Sequence, residues 1–240
     1  MLKPLVCSLL SLAAAGVFPR PPVVNAPLAF ESYLTVSDRS NARVAVRASQ
    51  EEGEQEISRL IRQSAPEESW LFDPIAGVWY DCGYRSHYDG VEPDRRFITA
   101  MIHSRKYLLH YHSHPAERVR PNILLQPLDW ALPSANDINN MIIGTLFMRH
   151  EHPDGSFRSR VGSLYGVTEY GLTADGVRVL GRCDILEIRE YAEQLRTRIG
   201  ATLTTKRQSI DDMLAAGNDG IVWMATLPYP GGTPPNLYMP

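Results

Sequence analysis

Three of the seven histidines stand at alternate positions in His110-Tyr111-His112-Ser113-His114-Pro115. On a strand, residues i and i+2 project from one face, so His112 and His114 turn their imidazoles to the same side and can converge on one ion at about 2.0–2.1 Å. His110 extends the row, and spacing alone leaves the register open. Two ligands do not complete a site: catalytic zinc takes three protein ligands and keeps a fourth position for water. The candidate third ligand is Asp137, in Ser134-Ala135-Asn136-Asp137. The same four residues read as a capping box, with Ser134 at the N-cap and Asp137 at N3 of a helix. The two readings are compatible, because a first-turn side chain can point out of the helix end.

The elements that position these residues are legible around them. Tyr107 to His114 reads as a strand with Leu109, Tyr111 and Ser113 on one face and Leu108, His110, His112 and His114 on the other. Pro115 ends its ladder. Residues 116–133 lack a sustained period and read as an inserted loop, and Asn136 to Arg149 has the broad apolar face of a helix. Upstream, Ile57, Leu60 and Ile61 mark a helix from about Gln55 to Gln63, with Glu51, Glu52, Glu54 and Glu56 read as favourable charge at its start. Ser69 to Phe72 is a short apolar run, Gly77 to Cys82 a strand, Asp89-Gly90 a turn, and Phe97 to His103 a strand or short helix. Downstream, Ser159 to Thr173 is strand-like, and Val177 to Leu180 is expected to pair with it through Asp175-Gly176. A long amphipathic helix follows from Ile185 to Ile199, then a shorter one from Ile210 to Ala216 ending at Gly217, then a Pro- and Gly-rich tail over 228–240. Strands and helices that do not strictly alternate indicate an α+β or mixed α/β fold, with a central mixed sheet flanked by helices and a C-terminal helical extension.

Composition narrows the function classes. At 240 residues, 44% hydrophobic and 21% charged, the chain has globular proportions. A net charge of −3 argues against a nucleic-acid binder working through a general positive field. No apolar run in the body of the chain is long enough to span a membrane. At the start, Lys3, the apolar stretch from Leu5 to Phe18, the small residues Ala13 to Gly16 and the prolines beyond them read as a secretory signal over 1–26, with cleavage after Ala15 or Ala26. Export is therefore expected. Removal of Cys7 would leave Cys82 and Cys183, whose pairing stays open.

Other candidates carry less. His150-Glu151-His152-Pro153 repeats the His-x-His-Pro pattern but leads into a Pro-Asp-Gly turn and reads as surface decoration. The zincin motif His-Glu-x-x-His, Cys-x-x-Cys pairs and a Gly-rich phosphate loop are absent from the sequence. Arg95-Arg96 reads as surface charge, and Trp70, Trp79, Trp130 and Trp223 as core or rim.

The pair His112-Ser113-His114-Pro115 and Ser134-Ala135-Asn136-Asp137 resembles the signature of the JAMM/MPN (JAB domain) zinc metalloproteases. The resemblance covers roughly 55–182. It implies a JAB/MPN-like fold with cytidine-deaminase-like layering, zinc on His112, His114 and Asp137, and Ser134 stabilising the tetrahedral intermediate. It also implies a general-base Glu after the first helix, where Glu68 matches best and Glu67 is the fallback. The expected activity is hydrolysis of an amide bond by a metal-activated water, as a peptidase or isopeptidase. The expected partner is a protein or peptide substrate, such as a ubiquitin-like or cell-wall peptide conjugate. The expected organisation is a signal segment over 1–26, an N-terminal extension over 27–54, the metalloprotease domain over 55–182 with the insertion at 116–133, and C-terminal helices and tail over 183–240. Two departures stand out: the interval from His114 to Ser134 is longer than the family shows, and Trp70, Leu71 and Phe72 stand where it carries a Gly. They keep open a second reading, an inactive MPN-like binding or assembly module.

Overall fold

The computed structural model describes residues 23–24, 45–63, 66–87, 90–114, 131–164, 166–201 and 210–227. The strands are β1 (Val23–Val24), β2 (Ala45–Arg47), β3 (Ser69–Asp73), β4 (Val78–Asp81), β5 (Gly83–His87), β6 (Gly90–Pro93), β7 (Tyr107–Ser113), β8 (Ser156–Ser163), β9 (Gly166–Leu172) and β10 (Val222–Leu227). The helices are α1 (Gln50–Arg62), α2 (Arg95–Ser104), α3 (Ala135–Glu151), α4 (Ala174–Leu180), α5 (Ile185–Ala201) and α6 (Ile210–Gly217). One sheet runs in the order β1-β2-β4-β3-β7-β8-β9-β10, and β5 and β6 form a separate hairpin. The sheet is mixed: β7 pairs parallel with β8, while β3 with β4, β3 with β7, β8 with β9 and β9 with β10 are antiparallel. The expected α+β class with a central mixed sheet between helices is what the structure has. Among the described residues, no helix is long and apolar enough to cross a membrane.

Each face of the sheet has its own core. On one, Trp70, Phe72, Trp79, Leu109 and Tyr111 pack against Ile57 and Ile61 of α1. Gly53 lets α1 approach this closely, since a Cβ there would lie 2.2 Å from the Trp79 ring. The opposite face carries Leu71, Leu108 and Phe157 under α2 and α3, continuing into Val161, Tyr170 and Val222 under α3 and α5. Ile188, Ala192, Leu195 and Ile199 line the buried side of α5 and are fully shielded from solvent.

Several boundaries differ from the sequence expectations. Helix α1 begins earlier than Gln55, because Ser49 and Glu52 form a capping box. Only Glu51 and Glu52 sit in its first turn; Glu54 and Glu56 are buried. The segment 95–104 is a helix, capped by Asp94, whose carboxylate accepts from Phe97 N at 3.0 Å. The stretch expected as one strand from Ser159 to Thr173 is a hairpin, β8 and β9. Val177 to Leu180 is helical rather than a strand, because Thr173 caps α4 by accepting from Gly176 N at 2.9 Å. The segment after residue 182, expected as a helical extension, also supplies the edge strand β10, and the segment before residue 55 supplies β2. The expected signal segment apart from Val23–Val24, Asp89, the loop up to residue 130, Trp130 and the tail 228–240 lie outside the described residues.

Candidate metal centre

The topology dictates where the histidines meet the aspartate. Parallel strands cannot be joined by a tight turn, so the chain leaving β7 must cross over before entering β8, and α3 is that crossover. A crossover helix runs back over the sheet. Its N-terminus therefore lies above the carboxyl end of the preceding strand, the end where open α/β sheets gather ligands. His112 and His114 are at that end of β7, and Ser134 and Asp137 open α3.

His112, His114 and Asp137 each offer a ligand atom, and the three atoms lie within 4.8 Å of one another. Nε2 of His112 is 3.2 Å from Oδ2 of Asp137. Ligands bonded at 2.0–2.1 Å around a tetrahedral ion stand about 3.3 Å apart, so this pair already has the spacing that zinc requires. Both imidazoles are buried, at 3% and 8% exposure, whereas the Asp137 side chain keeps 21%. Neither ring nitrogen of His112 makes a hydrogen bond within the described residues. A buried imidazole whose one polar neighbour at close range is a carboxylate, paired by charge rather than by a well-formed hydrogen bond, is a donor set suited to a borderline divalent metal such as zinc.

Electrostatics bind the three together. Burial works against the Asp137 carboxylate, but His112, His114 and the Ser134 hydroxyl outweigh it and hold the group well below the usual carboxylate range. Burial likewise disfavours His112 as a cation, yet Asp137, and behind it Glu67, raise its pKa above the ordinary value. Ser134 forms the capping box as expected. Asp137 Oδ2 accepts from Ser134 N at 2.8 Å and from Ser134 Oγ at 2.6 Å, and Ser134 Oγ accepts from Asp137 N at 3.2 Å.

The glutamates before β3 are distinguished by the pleat. Ser69 stands opposite His112, and Ser113 N donates to Glu68 O at 3.0 Å, so the pairing runs one step past the strand. Alternation then sets Glu67 with Ser69 and Leu71 on the His112 face, and Glu68 with Trp70 and Phe72 on the α1 face. The charge of Glu67 acts on His112. Glu68, the first choice from the sequence, has its backbone tied to Ser113, with Glu68 N donating to Ser113 Oγ at 3.0 Å.

His110 stands apart from the ligand group. Its Nε2 lies 2.8 Å from Ser69 Oγ, which lies 3.1 Å from Cys82 Sγ. Burial, then the neighbouring His112, pushes its pKa down to about 3 against the pull of Asp137, which keeps the ring neutral. Cys82 and Cys183 are both free, so the disulfide left open by the sequence is not formed. The second His-x-His-Pro segment is the C-terminal end of α3: His152 Nε2 lies 2.8 Å from Ile102 O, and Glu151 pairs with His103 at 2.7 Å. Sequence reasoning missed Ser159 and Tyr170, which are fully buried on the same face of the sheet as His112. Their only signal was polar side chains at inward positions of strands. Compared with family models, curated proteins and solved structures, the chain finds no match.

Proposed function

We propose that this chain is a zinc-dependent hydrolase of amide bonds, a peptidase or isopeptidase similar to the JAMM/MPN (JAB domain) enzymes. The convergence of His112, His114 and Asp137 at the crossover end of β7 is the observation that carries this reading. When bound, zinc in an open three-ligand site acidifies water and polarises a carbonyl.

The protein's own groups supply the rest. Glu67, on the same face of the sheet as the histidines, accepts the proton of the attacking water and returns it to the leaving nitrogen. Ser134 sits at the N-terminus of α3, where the helix dipole favours negative charge, and its hydroxyl, which donates to Asp137 Oδ2 at 2.6 Å, would rotate to donate to the developing oxyanion. Asp137 caps the helix and would also ligate the metal, its carboxylate held on a rigid element. Water attacks directly, so no covalent intermediate with the protein forms.

The layering of the fold supports a JAB/MPN-like arrangement over roughly 55–182, to which β2, α5 and β10 add strands and core from outside that range. The N-terminal segment supports export, and an exported enzyme meets protein or peptide substrates outside its own cytosol, among them cell-wall peptides or ubiquitin-like conjugates of a host. The satisfied capping box is the observation that favours the second reading, an inactive assembly module, because Ser134 and Asp137 have a structural role without metal.

Metal analysis of the purified protein beside Asp137→Ala, with a chelator-sensitive assay on peptide and isopeptide substrates, separates the two. One zinc per chain, lost with Asp137→Ala, together with chelator-sensitive hydrolysis, supports the enzyme. Zinc without hydrolysis, or no zinc, supports the module.

A further inference from the structure

Behind the ligand set lies a buried polar strip that the proposed chemistry does not use. The sheet register places Leu71, His110, Ser159, Tyr170 and Met224 in one cross-strand row, and Ser69, His112, Val161 and Thr168 in the next. Ser159 and Tyr170 are at 0% exposure beneath α3. Tyr170 OH, Ser159 Oγ and His112 Nδ1 are buried without a hydrogen-bond partner among the described residues. The hydroxyl of Ser69, the direct cross-strand neighbour of His112, is already engaged by His110 and Cys82.

Three orphaned polar atoms on one face of neighbouring strands demand an account, since a buried polar group left unpaired costs about 1–3 kcal/mol. An imidazole that ligates through Nε2 carries its proton on Nδ1 and almost always donates it to a second group, which fixes the ring. Nε2 of His112 is the nitrogen facing Asp137, so Nδ1 is the one that needs an acceptor. Tyr170 is coupled electrostatically to Asp137, and Ser159 Oγ lies against its hydroxyl, although the pair lacks the geometry of a good hydrogen bond. A buried water with two to four polar partners satisfies such a group.

We propose that Tyr170, together with Ser159, is a positioning residue for the metal ligands, their hydroxyls receiving the Nδ1–H of His112 through one ordered water and setting its ring toward Asp137. The inference rests on the metal-binding reading above. An unused hydroxyl, by contrast, would be removed at no cost to metal affinity.

The test compares wild type, Tyr170→Phe and Ser159→Ala by zinc competition with a chromophoric chelator, by the visible spectrum of the cobalt(II) form, and by apo-protein melting. Both variants are expected to lose at least tenfold in zinc affinity, within the ten- to hundredfold typical of such partners, and to shift the cobalt bands. Wild-type zinc affinity and spectrum in both folded variants would overturn the inference while leaving the metal site standing. Failure of the wild type itself to take up zinc removes the metal-binding reading and this inference together. Should Tyr170→Phe not fold, Ser159→Ala decides the outcome by the same readings.

Discussion

Asp137 Oδ2 serves three neighbours at once: Ser134 N at 2.8 Å, Ser134 Oγ at 2.6 Å and His112 Nε2 at 3.2 Å. One carboxylate oxygen thus joins the start of α3 to the end of β7. Without metal, the raised pKa of His112 and the lowered pKa of Asp137 make this an ion pair. A group with a raised folded pKa contributes stability that is complete below its unfolded value of 6.5 and fades as pH rises through the folded pKa. A group with a depressed pKa contributes above its unfolded value of 3.8 and fades as pH falls through the folded pKa. The metal-free protein should therefore gain from the pair between about pH 4 and 6.5 and lose part of that gain above it. Zinc competes with the proton on His112, so its affinity should rise over the range in which the ion pair fades. Melting of the apo-protein and zinc titration across pH 5–8 check both slopes. Asp137→Asn should flatten the first and abolish the second.

Ser134 carries a cap and, in the proposed reaction, an oxyanion contact, and two substitutions separate the roles. Ser134→Ala should cost about 1 kcal/mol of stability, because Ala is a poor N-cap, whereas Ser134→Gly should cost a few tenths. Hydrolysis should fall by about a hundredfold or more in both, the size expected for loss of an oxyanion donor. Urea denaturation and turnover measured on the same preparations make the comparison. Turnover that tracked stability instead would leave Ser134 as a cap alone.

The pleat separates Glu67 from Glu68. Glu67→Gln should retain zinc and lose about 10²–10⁴-fold in turnover, the range for a general base, while Glu68→Gln keeps both. The reverse pattern would return the base to Glu68 and require its side chain to reach around the strand edge.

How much of this was legible depends on which forces each segment obeys. The His-x-His row was readable because strand periodicity is local, and α5 because Ile188, Ala192, Leu195 and Ile199 repeat at helical spacing. Val177 to Leu180 misled because its β-branched valines favour a strand, while the deciding contact is the cap from Thr173. Strand β10 was missed because it follows helices and a turn, and its stability comes from pairing with β9. The faces that Glu67 and Glu68 take depend on the register of β3 with β7, a strand far away in the sequence. The closure of the site by Asp137 needed only a capping motif and a parallel crossover, the first visible in sequence and the second not.

A buried ion network holds α1 to the sheet on the opposite face. Arg160 pairs with Glu54 of α1 and with Glu169 across the strand pair, and Tyr111 OH donates to Glu54 Oε1 at 2.6 Å. Arg160→Met leaves Glu54 buried without its cation, while Glu169 keeps Arg158 at 2.6 Å, and should destabilise the protein by about 3–5 kcal/mol. Triple replacement of Arg160, Glu54 and Glu169 by apolar residues of similar volume should recover much of that loss, since such networks cost nearly as much to desolvate as they return. Equilibrium denaturation of the two variants checks the order, and zinc affinity measured on the folded fraction should not follow it.

The last strand is pinned by Asp219. Its carboxylate accepts from Ile221 N and Val222 N, both at 3.0 Å, from Tyr191 OH at 2.9 Å and from Arg198 Nη2 at 2.5 Å. Burial opposes the charge, but the Val222 N–H, Arg198 and Tyr191 together lower the pKa below 3.8. The sign follows from the depressed value: the contribution is present above pH 3.8 and is lost as pH falls through the lower folded pKa. Acid titration of stability should therefore show a descending limb below about pH 4 that Asp219→Asn makes shallower. Because among the described residues β10 pairs only with β9 and is sealed on its outer side by Asn218, whose side chain accepts from Met224 N at 2.7 Å and donates to Met224 O at 3.1 Å, the same substitution should loosen this edge first. Hydrogen exchange should then quicken in β10 and at the C-terminal end of α5 before it changes in β7. Uniform acceleration across the sheet would mean that Asp219 supports the whole fold rather than its last strand.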